Sequence, residues 1–459
     1  MHRKLFYAFN FLLLAVFIAS LIVDYNKDWR KYQNEYFIRS ARELDLQAEQ
    51  SKDPEQAKRL RADARALRSQ PIMIRQIIVK DLGRFDRCVT CHVGMDEFAN
   101  PTLKTPFKEH PFKGHPDLPG MVKNHPFAKF GCTSCHGGQG MALTVEAAHG
   151  KSENWEKPLL KGHLIQASCA KCHGNFQTLK GAEAVASGRK AMEDHGCFGC
   201  HSVNGVGGIV SVDFAKDVAD KPLERIALFN FSLAKGPDGK PIPREDWKLP
   251  AWIMAHLTQA PMDFIPNDPF AHFNKEPIAP SGMPDFSKEL SVKDAENITA
   301  YILSLTQEEI IPNKYYVHAP PKPEPTFASA KEHGHFVFRK YGCAGCHGVE
   351  AKEGRRNFNA LGPGQKAYSD TMDEKTLFEQ MALGREPTLP DVLGTYTPEE
   401  LKAKIQNGVP GSAINKYNPN GPTTPLYMPT WKEKIKGREL DDLVTFLLSI
   451  AKKKKDEGF

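Results

Sequence analysis

All ten cysteines of this chain fall in five copies of one pattern, and that limits its fold more than any other feature. The copies are Cys88-Val-Thr-Cys91-His92, Cys132-Thr-Ser-Cys135-His136, Cys169-Ala-Lys-Cys172-His173, Cys197-Phe-Gly-Cys200-His201 and Cys343-Ala-Gly-Cys346-His347. Each copy holds two thiols and an imidazole in one short loop. That spacing can present both sulfurs to one macrocycle edge and turn the imidazole under an iron, so C-x-x-C-H reads as covalent attachment of a c-type haem. Zinc ribbons also use C-x-x-C, but they do not require a His after every second Cys. A redox disulfide motif is expected once, near a βαβ pattern. A secreted disulfide framework would not place every cysteine in an identical unit. The expectation is five covalent haems, with the ten Cys as thioether donors and His92, His136, His173, His201 and His347 as proximal iron ligands.

This reading changes the charge balance. The 459 residues carry a formal charge of +6, and the ten propionates of five haems would take it to −4 before the irons are counted. The Lys and Arg surplus is therefore read as propionate partners, not as a nucleic-acid surface, and no nucleic-acid motif is present. With 27 Phe, 12 Tyr and 5 Trp the chain can build cores, which argues against wholesale disorder. One long apolar run is too few for a polytopic membrane protein.

That run spans Leu5 to Val23, with Asn10 inside it, after His2, Arg3 and Lys4. It is long enough to cross a hydrocarbon core of about 30 Å as a helix. No small-x-small cleavage site follows, so the expectation is an uncleaved anchor with its basic end in the cytoplasm. The remainder would be exported, where covalent haem attachment takes place: a single pass through the inner membrane, with the haem domains in the periplasm. A polar arm follows, read as helices over about 26–50 and 54–69, with Asp53 as N-cap and Pro54 at the first helical position. Three readings of the arm stay open: a docking surface for partner subunits, a solvated spacer, or a hairpin on its own domain. Trp29 and Tyr32 are candidate membrane-interface aromatics.

The last two motifs belong to an internal repeat. Cys197 and Cys343 are 146 residues apart, and Met283-Pro matches Met428-Pro at an offset of 145. At that offset Leu290, Ala295, Ile298, Tyr301, Ile302 and Leu305 of one closing helix match Ile435, Leu440, Leu443, Phe446, Leu447 and Ile450 of the other. A period this long means duplicated domains. The order of short helix, haem motif, long loop, Met-Pro and closing helix resembles the class I cytochrome c fold. The resemblance implies Met283 and Met428 as sixth ligands to the irons held by His201 and His347, and raised potentials, because a thioether favours Fe(II). It also implies a Pro carbonyl near the proximal His. Pro363 suits the second unit, and the first has no equivalent.

The first three motifs are only 44 and 37 residues apart, too close for a class I domain each. Their surroundings are rich in loops and in His110, His115, His125, His149 and His163, which are the distal candidates for bis-His ligation. Met121 and Met141 are alternatives. Asp86-Arg-Cys88-Val-Thr-Cys91-His92, His-Pro-Phe-Ala-Lys-Phe-Gly-Cys132 and Ala-Ala-His149-Gly resemble membrane-anchored multihaem cytochromes c that accompany b-type quinol-oxidising subunits in bacterial respiratory chains. This implies electron transfer from a cytochrome b-type or other quinol-oxidising membrane subunit to an acceptor such as a cytochrome or oxidase. The alternative is a multihaem reductase or peroxidase with one open-site haem. A filament subunit is a further reading, which an anchor disfavours.

The expected fold is mainly α with long loops. It comprises an anchor (1–23), a helical arm (24–80), a loop-rich trihaem module (81–180), a class I cytochrome c domain (181–310), a Pro-rich linker (311–330) and a second class I domain (331–459).

Overall fold

The computed structural model describes residues 2–98, 107–116, 120–208, 211–226, 231, 234–259, 286–287, 289–308, 311–319, 325–348, 350–351, 389–408 and 428–452. The chain divides into two compact units, Met1–Lys161 and Gly162–Phe459. The described residues are mainly helical, with two short two-stranded sheets.

The first unit opens with α1 (His2–Tyr25). Among the described residues it begins the one helical stretch long and apolar enough to cross a membrane. Its large apolar side chains, from Leu5 to Val23, are all exposed. Its interior polar groups are satisfied within the helix: Asn10 Nδ2 donates to the Phe6 carbonyl and Ser20 Oγ to that of Phe17, each at 2.8 Å. A helix whose mid-span Asn and Ser are bonded to its own backbone and whose large apolar side chains point outward has the character of a lipid-facing segment.

Helices α2 (Asp28–Gln50) and α3 (Pro54–Arg68) form the hairpin that the breaker residues predict. Asp53 caps α3, accepting from Glu55 N at 2.9 Å, and Pro54 opens it. Trp29, Gln33, Tyr36, Phe37, Ser40, Ala41 and Ala48 make a buried stripe on α2 at helical spacing. The stripe packs on its own unit. Tyr36 and Phe37 join Val93 and Phe112 in one cluster, with Phe107 against it. The Gln33 carboxamide donates to the carbonyls of Met73 and Thr90 at 2.9 and 3.0 Å. Thr90 lies inside the first C-x-x-C-H, so α2 holds that motif directly. Of the three readings of the arm, the described contacts match the hairpin on its own domain. Trp29, read from sequence as a candidate membrane-interface aromatic, is buried, 3% exposed. Strands β1 (Ile77–Val79) and β2 (Arg84–Asp86) pair antiparallel, Ile78 opposite Phe85, and deliver the chain to Cys88.

The second unit contains two similar helical cores. The first is built from α4 (Glu183–Asp194), α5 (Leu249–Thr258) and α6 (Val292–Leu303). The second uses α7 (Ala330–Lys340), α8 (Pro398–Asn407) and α9 (Arg438–Ser449). In each, the helix before the motif packs against the closing helix through a glycine. A Cβ on Gly188 would overlap the Asn297 carbonyl, and one on Gly334 would overlap that of Asp442. The repeat inferred from sequence is visible in the burial: five of the six matched pairs are buried in both helices, and Leu305 and Ile450 are partly buried against their cores.

The third motif belongs to this unit, although the sequence suggested a boundary near 180. Leu164, Ala170 and Phe176 pack against the first core, burying apolar surface that a loop-rich module does not offer. The chain at 317 is tied back to the same motif, Val317 N donating to the Cys172 carbonyl at 2.7 Å and Gly174 N to that of Val317 at 2.8 Å. Residues 320–324 of the expected linker lie outside the described residues.

Candidate functional site

The five motifs share one backbone turn. The amide of the His donates to the carbonyl of the first Cys at 2.8 Å for His92, 3.0 Å for His136, 2.9 Å for His173 and 3.0 Å for both His201 and His347. In each, the second Cys amide also donates to that carbonyl, at 3.1–3.3 Å. One helical turn therefore brings two sulfurs and an imidazole to one side, whether the surroundings are irregular or helical. None of the ten cysteines is in a disulfide. Burial pushes the Cys91 thiol up to about 11, with Cys88 adding to it, and the Cys343 thiol up to about 12.

The imidazoles of the first unit are spaced for a metal between them. A metal–imidazole bond is about 2.0 Å and the ring centre lies roughly 1.1 Å beyond its nitrogen, so two rings facing across one metal set their centroids about 6.2 Å apart. The His115 and His136 centroids are 6.1 Å apart. Those of His92 and His149 are 6.3 Å apart, and those of His92 and His110 are 6.2 Å apart. The interplanar angles are 81°, 34° and 86°. Desolvation favours the neutral imidazole at both proximal positions: His92 is pushed down to about 4, with His149 and His110 adding to the effect, and His136 is lowered with His115 as a second cause. That separation is what bis-His haem would need, so the residues present fit such a group at the first two motifs: His115 would be the partner of His136, and His149 or His110 that of His92.

Other candidates are placed differently. His125 Nδ1 donates to the Met121 carbonyl at 3.0 Å and its ring lies 5.2 Å from Phe130, leaving the lone pair on Nε2. His163 Nε2 faces the Glu296 carboxylate at 3.4 Å. The Met141 side chain is exposed. Met428 lies against the second core, beside which Cys343 also packs. Met283 and Pro363 lie outside the described residues.

The open question at the fourth motif has an answer in the chain itself. His201 Nδ1 donates to the carbonyl of Val212 at 2.9 Å, and the ring stacks on Phe214 at 4.3 Å. A carbonyl can only accept, so the bond fixes the tautomer and leaves Nε2 free to bind iron. Asp213 holds this loop, accepting from Ser202 Oγ, Asn204 N, Gly205 N, Ala215 N and Lys216 N. Burial alone would raise Asp213, but these bonds outweigh it and hold the carboxyl down at about 2. Asp86 does a similar task in the first unit. Fully buried, it accepts from Cys132 N at 2.6 Å, Thr133 N at 3.2 Å and Thr133 Oγ1 at 2.7 Å, joining the strand before motif one to the turn of motif two. Sequence reasoning did not single out Asp86, Asp213 or His256. His256 is a desolvated imidazole pushed to about 4, its Nδ1 donating to the Trp252 carbonyl at 2.7 Å. A position just before a motif was the only sequence signal for Asp86, and His256 carried none.

Paired helices closing over a Cys-Cys-His turn, twice in tandem, define a haem-based electron-transfer protein. Residues 185–306 and 332–451 match the family model for cytochrome c, and each stretch contains one C-x-x-C-H. The two matches span more than half of the chain, which belongs to the cytochrome c family and carries covalently bound c-type haem. Comparison with curated proteins and with solved structures returns no match.

Proposed function

We propose that the chain is a membrane-anchored five-haem c-type cytochrome that relays electrons from a quinol-oxidising membrane subunit, such as a cytochrome b, to a periplasmic or membrane acceptor, a cytochrome or an oxidase. Bound haem would supply a reversible one-electron couple at each motif. The protein's part is to attach, ligate and position. Cys88/Cys91, Cys132/Cys135, Cys169/Cys172, Cys197/Cys200 and Cys343/Cys346 form the thioethers, and the following His of each motif is the proximal ligand. His115, with His149 or His110, closes the distal face at the first two motifs. Met428, and Met283 by the repeat, do so at the last two.

The observation that carries this reading is the imidazole spacing of 6.1–6.3 Å in the first unit. At the first two and the last two motifs, two protein ligands per iron would fill the coordination sphere, which suits electron transfer. The exposed apolar helix α1 supports single-pass anchoring in the inner membrane with the haem domains outside the cytoplasm. The first two motifs, both in the first unit, form the loop-rich haem pair of this proposal.

Intact mass of the membrane-extracted protein should exceed the polypeptide by five haems. The oxidised and reduced spectra should be fully low-spin and indifferent to carbon monoxide, nitrite and peroxide. A di-haem b-type subunit should co-purify. A ligand-sensitive haem would favour a reductase or peroxidase instead, and a different co-purifying redox subunit would redirect the donor.

A further inference from the structure

The last two C-x-x-C-H turns touch each other, and they do so with two-fold symmetry. Only these motifs have glycine both before the first Cys and before the second: Gly196-Cys197-Phe-Gly199-Cys200 and Gly342-Cys343-Ala-Gly345-Cys346. By the repeat offset of 146, Gly196 corresponds to Gly342 and Gly199 to Gly345. A Cβ on Gly196 would overlap the Gly345 amide nitrogen, and a Cβ on Gly342 would overlap that of Gly199. A Cβ on Gly199 would overlap the Gly342 carbonyl oxygen, and one on Gly345 would overlap that of Gly196. Each contact is thus the image of another under exchange of the two domains, the signature of an isologous interface, here between two halves of one chain. Gly196 and Gly342 also share the left-handed conformation, φ +72° and +69°. At the rim Lys434 Nζ donates to the Gly207 carbonyl and Arg339 pairs with Asp194, each across the two domains.

We propose that this four-glycine contact is a device for electron exchange: it sets the two haem-attachment turns of the tandem domains backbone to backbone, so that the groups they hold form a strongly coupled pair. The inference rests on haem being attached at both motifs. No side chain stands between the turns, and each turn carries both sulfurs of its own motif. Covalent attachment therefore converts the backbone contact into a fixed separation of two macrocycle edges, and tunnelling falls steeply with that separation. The step is one electron passing from the ferrous iron of one domain to the ferric iron of the other. No bond is made or broken, and the first iron is oxidised as the second is reduced. The four glycines are positioning residues, since none reaches the iron.

The test uses the full-length, haem-loaded protein. One-electron exchange between the two tandem-domain haems is read from NMR line broadening at half reduction, with exciton splitting in Soret circular dichroism as a second readout. Gly196→Ala and Gly345→Ala should slow exchange by roughly tenfold or more, because an added methyl must push the turns apart. Gly188→Ala, an equally tight site inside one domain, should lower thermal stability yet leave exchange within about twofold. Unchanged exchange in fully loaded Gly196→Ala and Gly345→Ala overturns the proposal. Should those variants fail to fold, Lys434→Ala and Arg339→Ala loosen the rim instead, and together they should slow exchange measurably. No change in that pair, or two independent haems in the wild type, also overturns it. A mass lacking haem at motif four or five would refute the functional reading itself, a different failure from full loading without coupling.

Discussion

The two units solve the same problem, holding a Cys-Cys-His turn in place, with different materials. Around motifs four and five the protein supplies apolar cores. Val185, Met192, Ile253, Ile298 and Ile302 are buried in the first, and Val337, Phe338, Ile435, Leu443 and Leu447 in the second. Between β2 and the end of the first unit the buried apolar side chains among the described residues are only Val89, Val93, Phe112 and Val122. What holds that region is polar: the Gln33 amide on Thr90, the Asp86 carboxylate on Cys132 and Thr133, and chain-to-chain bonds such as Arg87 N to the Gly140 carbonyl at 2.7 Å. A small region that buries little apolar side chain needs another source of buried contact, and two large macrocycles would supply it. On the proposed five-haem reading, haem would be an addition to a folded core in one unit and part of the core in the other.

The largest effect that follows is on folding without attachment. Replacing Cys88 and Cys91 by Ala should remove one haem by mass and open residues 107–161 to limited proteolysis and fast amide exchange. The matching change at Cys343 and Cys346 should remove one haem while the contact of α7 with α9 stays protected. Equal loss of protection in both variants would break the comparison.

The next effect sharpens it from the polar side. Asp86→Ala leaves two buried backbone amides and a hydroxyl without their acceptor, and should cost about 3–5 kcal/mol in the first unit. Because Asp86 spans motifs one and two, haem loading at Cys132/Cys135 should drop as well, measured by peptide mass. A variant with normal loading and stability would show that macrocycle contacts alone hold the two turns.

The same contrast explains what could be read from the sequence. The duplicated domains were legible because their closing helices repeat a pattern of apolar residues at helical spacing, and such patterns survive in single-letter code. The α2–α3 hairpin was legible through Asp53-Pro54 and the absence of glycine. Its packing partner was not, since Gln33 gives no sign that it will bond Met73 and Thr90. The five Cys-Cys-His turns themselves were legible to the residue. The nearness of the His115 and His136 rings was not, because residues 21 apart in irregular chain share no periodicity. His125, closest in sequence to motif two, looked stronger than His115. The Val212 carbonyl at His201 was missed for a related reason: any residue supplies a carbonyl, and only the Asp213 loop decides which one arrives.

That loop provides the smallest effect, and it separates support of a ligand from support of a fold. An ordinary Asp titrates near 3.8, and Asp213 is held at about 2. The folded state therefore binds its proton less readily than the unfolded state. The stabilisation is complete above pH 3.8 and is lost as pH falls through 3.8 towards 2, amounting to about 2 kcal/mol. Asp213→Asn should remove this contribution at neutral pH and flatten the acid limb of the stability curve between those values. The loop would loosen, and the Val212 carbonyl would hold His201 less firmly. A more weakly oriented imidazole is a poorer donor to iron, so the potential of the fourth haem should move while the α4–α6 contact, built from Ile298, Ile302 and Gly188, stays intact. Should the variant instead unfold the whole domain, or leave the potential unmoved, the carboxylate would be a structural brace like Asp86, and the distinction between the two units would be one of degree.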